Sequence, residues 1–310
     1  MRIPFLNEKR AVKLGKSFSI QFFQDERNIA SVGTKVTVWG DLGRERLATS
    51  KPFSHPGYLD ISPMNDLLAV KNTAGRIALL SHPTLELIAH QKLSMASEGC
   101  CVLFSPCGQN LISGSWAGEI SQRDISAGET VFSDKRQGEM IAWLSCTADR
   151  KTFLYVRQPK AVGGGAPGPS IIVIRDWPFL MNDEQIVEGD WRYVKAAALS
   201  SNARQIAVLH QLADARLRVD VVNRETGEVR SVAPFPYGGT NFSIAWSHDD
   251  RYLAYVGNRE IVVLDSNTLE FVVAYEDQYP CFVGFSPTDE YLALGSWTQG
   301  TVVSTSVWRK

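Results

Sequence analysis

The stretch Gly163-Gly-Gly165-Ala-Pro-Gly168 satisfies G-x-G-x-x-G, the spacing with which a dinucleotide fold brings its backbone against a pyrophosphate at a helix N-terminus. Pro167 and Pro169 flank the last glycine and no helical pattern follows, so the segment reads as part of a surface loop over residues 158–169. Pro169 also stands where a Walker loop requires lysine. His55, His82, His90, His210 and His248 show no i, i+4 or short-loop metal spacing, and there is no G-x-S-x-G elbow for a serine hydrolase. The five cysteines, Cys100, Cys101, Cys107, Cys146 and Cys281, contain no C-x-x-C, and their odd number argues for free thiols in a reducing compartment. The residues capable of chemistry thus imply no cofactor, no metal and no catalytic constellation, and the expected location is the cytoplasm.

Charge narrows the partners. Lys plus Arg number 32 against 33 Asp plus Glu, which leaves no long-range field for nucleic acid or an anionic membrane. The apolar start Ile3-Pro-Phe-Leu6 is too short for a signal peptide, and no run approaches a membrane span. At 44% hydrophobic and 21% charged residues, the chain has the composition of a globular protein with a substantial core.

The elements that must position any site come from a repeat. Phe104-Ser-Pro-Cys-Gly-Gln-Asn-Leu111 and Phe285-Ser-Pro-Thr-Asp-Glu-Tyr-Leu292 share one frame: an apolar anchor, a Ser-Pro turn and a second apolar strand. The same frame starts at Ile61 and Trp246 and, more weakly, at Leu199 and Phe22; a further copy at Leu144 carries two extra residues. The anchors 22, 61, 104, 144, 199, 246 and 285 are separated by 39, 43, 40, 55, 47 and 39 residues, close to the roughly 40–45 of a four-stranded repeat. The long interval contains two stretches that read as insertions, 158–169 and Leu180 to Trp191. Third strands follow at Lys35–Trp39, Arg76–Leu80, Ile171–Ile174, Leu217–Val222 and Ile261–Leu264, and fourth strands at runs such as Phe271–Tyr275. The last repeat has room for three strands only. Arg10–Gly15 is expected to supply the fourth, so residues 1–17 close a ring that uses all 310 residues as a single domain.

With Val36-Thr-Val-Trp39-Gly-Asp41 and Gly114-Ser-Trp116-Ala-Gly118-Glu-Ile120 as its closest copies, the chain resembles the WD-repeat family over about its whole length. The resemblance implies an all-β, seven-bladed β-propeller of four-stranded antiparallel blades. That family holds its blades with a buried network from a Gly-His pair and a turn Asp. No Gly-His occurs here, and the Asp slot is Ala117 in one blade and Thr298 in another. Apolar packing between blades must therefore do most of the holding, and a seven-bladed propeller of another family stays open.

In the family's geometry one face gathers the loops between second and third strands and those between blades. It would present Trp116, Trp297, Trp191, Tyr237, Phe53, Tyr58 and Arg259, a composition suited to a protein-binding hot spot. Trp143, Trp246 and Phe285, at or beside the anchors, are expected in the core. The expected function is a non-catalytic scaffold for one or more partner proteins. The alternative is an enzyme or receptor with a small-molecule or metal site at the channel mouth, where of the inner-strand starts Phe18, Tyr58, Gly99, Met140, Lys195, Asn241 and Tyr279 only Asn241 suits a metal.

Overall fold

Successive side chains of a strand point to opposite faces, and in this protein both faces are apolar. Tyr252, Ala254 and Val256 of one strand pack towards one neighbouring sheet, while Leu253 and Tyr255 pack towards the other. A sheet buried on both faces must be sandwiched, and repetition of that demand arranges the sheets radially. The computed structural model of the chain, which describes residues 2–4, 11–92, 101–160, 168–178, 184–237 and 242–309, is a seven-bladed β-propeller.

Blade 1 comprises Ser19–Phe22, Ile29–Val32, Val36–Gly40 and Glu45–Ser50; blade 2, Pro56–Ile61, Leu67–Asn72, Arg76–Ser81 and Leu87–Lys92. Blade 3 comprises Val102–Phe104, Asn110–Gly114, Glu119–Asp124 and Thr130–Lys135; blade 4, Glu139–Cys146, Thr152–Pro159, Ile171–Asp176 and Gln185–Glu188. Blade 5 is built from Tyr193–Leu199, Gln205–Gln211, Leu217–Asn223 and Val229–Ser231, and blade 6 from Ile244–Trp246, Tyr252–Val256, Glu260–Asp265 and Phe271–Glu276. In blade 7 the long strand Tyr291–Ser304 serves as both middle strands: its first part pairs with Pro280–Phe285, and its second part pairs with Val12–Ser17. The N-terminal segment thus closes the ring, as the missing fourth strand required. The closing segment is shorter than residues 1–17, because Arg2–Pro4 leaves blade 7 and runs parallel to the outer strand of blade 6 as a fifth strand. Among the described residues no helix is long and apolar enough to cross a membrane.

Seven apolar clusters fill the seven interfaces between adjacent blades. Trp246 and Phe285 are buried in them and Trp143 is partly buried against two of them, which fits the packing expected of a chain without the WD-type network.

The turn after each inner strand repeats almost atom for atom. The amides of Phe23, Ser62, Ser105, Thr147, Ser200, Ser247 and Ser286 each donate to the carbonyl five residues on. The hydroxyls of Ser105, Thr147, Ser200, Ser247 and Ser286 accept the returning amide at 2.9–3.2 Å, which is why Ser or Thr recurs there. The fourth residue past the anchor has a positive φ in every blade: Glu26, Asn65, Gly108, Arg150, Ala203, Asp250 and Asp289. This register corrects the frame of the fourth repeat. Its anchor is Cys146, not Leu144, and no extra residues are present; Leu144 lies two residues earlier on the same face of the inner strand, packed in the same cluster. Leu180 to Trp191 is likewise not a plain insertion, since Gln185–Glu188 forms the outer strand of blade 4. Residues 161–167 with most of the glycine motif, and Gly99, Cys100 and Asn241, lie outside the described residues.

Several of these positive-φ side chains tie neighbouring turns together. Asp250 accepts the amides of Ser201 and Asn202, Asp289 those of His248 and Asp249, and Asn65 that of Gln24. Glu26 joins blade 1 to Thr288 of blade 7. Arg150 instead reaches across blade 3 to form a two-pronged pair with Asp60 of blade 2 at 2.6 and 2.9 Å.

Candidate functional site

The inner strands surround a channel of about 970 Å³. Towards the end where the inner strands finish, Asp60 is only 3% exposed and both its oxygens are engaged by Arg150. Asp60 also accepts the Phe104 amide at 2.7 Å, and Arg150 donates to the carbonyls of Ile61 and Phe104. A bidentate pair with every prong occupied is a structural clasp, tying blades 2, 3 and 4.

The opposite end, where the inner strands begin, differs in chemistry. Trp116, in the turn between Asn110–Gly114 and Glu119–Asp124, and Trp297, midway along the bent strand of blade 7, both line the channel and are 40% and 39% exposed. Tyr58, at the start of an inner strand, lines it too. Trp297 packs against Phe18 with ring centroids 4.3 Å apart and the rings tilted by 49°, and the Lys16 ammonium lies 5.1 Å from the centroid of each ring. On blade 5, Lys195 sits 5.2, 5.5 and 5.6 Å from the rings of Tyr193, Tyr237 and Phe242, a cation–π arrangement. Burial pulls the Lys195 ammonium below the usual lysine range.

The structure thus gathers four of the seven face residues: Trp116, Trp297 and Tyr58 on the channel wall and Tyr237 beside Lys195. It separates the other three. Phe53 is half-buried against the cluster between blades 1 and 2, and Arg259 is exposed in the turn before Glu260–Asp265 and is not among the residues lining the channel. Trp191 is a correction: it is 3% exposed, packs between blades 4 and 5, and donates its indole N–H to Asp220 at 3.1 Å. That carboxylate also meets His210 at 2.9 Å, Arg218 at 2.9 Å and Ser231 at 2.7 Å, so blade 5 carries a buried polar network of its own.

Lys16 carries no site signature in the sequence, and Lys195 and Phe18 stand there only as inner-strand starts unsuited to a metal. The signal was a lysine beside an aromatic at an inner-strand start, Lys16-Ser-Phe18 and Tyr193-Val-Lys195. Among the described residues, no group of three His, Cys, Asp or Glu side chains is placed to hold a metal ion.

No protein-family model matches the chain. No curated protein matches it by sequence. Among solved structures it is similar to a chain of Kuenenia stuttgartiensis hydrazine synthase, with a TM-score of 0.78 over 95% of this chain and 97% of that one. The two are 15% identical, and what they share is the fold: a seven-bladed β-propeller.

Proposed function

We propose that the chain is a non-catalytic, WD-repeat-like adaptor that docks a partner protein over the channel mouth where its inner strands begin. The supporting observation is the convergence of Trp116, Trp297 and Tyr58, from three separate blades, on one opening. Aromatic side chains there can bury large areas at small entropic cost, and a rigid ring presents them without reorganisation. The test compares proteins copurifying with wild type and with a Trp116→Ala/Trp297→Ala/Tyr237→Ala variant, by quantitative mass spectrometry. A stoichiometric partner is expected to be lost by the variant while its circular-dichroism melt is retained. Full retention of every partner by the folded variant would overturn the reading.

The channel volume also suits a small molecule, which keeps a second reading: a propeller enzyme or receptor with its ligand or metal at the mouth. Elemental analysis of the purified protein separates the two, since one tightly bound divalent metal per chain supports the second.

A further inference from the structure

Asp60 is the single carboxylate among the described residues lining the channel, and Arg150 engages both its oxygens. Lys16, Lys51 and Lys195 line the same channel, so among the described residues of the wall no carboxylate is left to meet these three ammoniums. The excess is local, because the whole chain carries a formal charge of −1. Lys195 is half-buried against three aromatic rings, which compensate only part of the hydration it has lost. A carboxylate brought to it would restore a full partner in a site of reduced dielectric.

Resting on the docking reading above, we infer that the partner segment is an acidic peptide. Its Asp or Glu carboxylates pair with Lys195 and Lys16, while its apolar side chains lie on Trp116, Trp297 and Tyr58. Two lysines set against aromatic rings, with Lys51 a third on the wall, differ from the continuous basic track with which a protein follows a nucleic-acid backbone. The mixed lining of ammonium and indole instead matches a chain that carries both charge and apolar bulk.

The test is selection of phage-displayed random peptides on the full chain, followed by fluorescence anisotropy with synthetic copies of the selected peptides. Enrichment of Asp and Glu is expected. Lys195→Met and Lys16→Met should each weaken binding about tenfold, as should replacing Glu by Gln in the peptide. Lys195→Arg should retain binding, which keeps the test decisive if Lys195→Met folds poorly. Peptides that require Trp116 but show no acidic enrichment, or that ignore both lysine substitutions, would overturn the inference and leave protein docking standing. Failure to select any peptide sensitive to Trp116→Ala would overturn both. Displacement of the peptides by inorganic phosphate or an oligothymidylate at equal concentration would show a general anion site and overturn the peptide assignment.

Discussion

Asp220 shows how much one side chain can carry. Its carboxylate is 2% exposed and holds together His210, Arg218, Ser231 and Trp191 from four segments of blade 5 and its approach. Burial by itself would raise its pKa; the hydrogen bonds from His210, Arg218 and Ser231 outweigh that and hold it well below the usual aspartate range. A depressed folded pKa means that the stabilisation is fully present above the unfolded value of 3.8 and is lost as pH falls below it. Asp220→Asn should therefore lower stability at neutral pH by about 2–4 kcal/mol, read from the urea midpoint, and should flatten the acid limb of the stability profile below pH 3.8. An unchanged acid limb would show that other carboxylates dominate there. Trp191 belongs to the same lesson. Its position before an inner strand placed it on the exposed face in the sequence, but its indole N–H found a buried acceptor, and only the fold says where Asp220 lies.

Turns are the elements that place the site. Trp116 is held by the turn Ser115–Gly118, in which Gly118 adopts φ +84° and its amide donates to the Ser115 carbonyl. A Cβ at Gly118 would collide with the backbone carbonyl oxygens of Arg136 and Glu139, which have no freedom to retreat. Gly118→Ala should cost about 2 kcal/mol or more through strain and displacement, and should change the near-ultraviolet signal of Trp116 before the far-ultraviolet signal is lost. Gly128, also at positive φ but with open space around its Cβ position, is the control, and Gly128→Ala should cost only about 1 kcal/mol. Six of the seven inner-strand turns were legible: in five the residue after the anchor is Ser, whose hydroxyl leaves a compositional trace, and in the sixth, with Phe23 there, only the apolar anchor and second strand do. The fourth was misread by two residues, because its anchor is the small Cys146, and the buried Leu144 two residues earlier on the same strand face is itself followed by a serine.

At the scale of the whole molecule, ring closure rests on Val12–Ser17, whose Leu14 is buried in the cluster between blades 7 and 1. Deleting residues 1–17 should abolish soluble expression or lower the melting temperature sharply, because it opens blade 7 and exposes an unpaired edge. Deleting residues 1–10 takes away the added fifth strand of blade 6, Arg2–Pro4, but leaves Ala11 and Val12–Ser17 in place, and should shift the melt by a few degrees at most; equal losses in the two deletions would place closure elsewhere. The seven blades, their approximate boundaries and the origin of the closing strand were determined by the sequence alone, because each rests on local periodicity and on counting strands in a ring that leaves no edge open. The channel mouth was decided by tertiary structure. Lys16, Phe18 and Trp297 come from opposite ends of the chain, and Trp116 and Lys195 from separate blades. Side chains so far apart in sequence meet only where the inner strands converge, and whether an aromatic there is exposed, stacked or hydrogen-bonded depends on neighbours that no local pattern names.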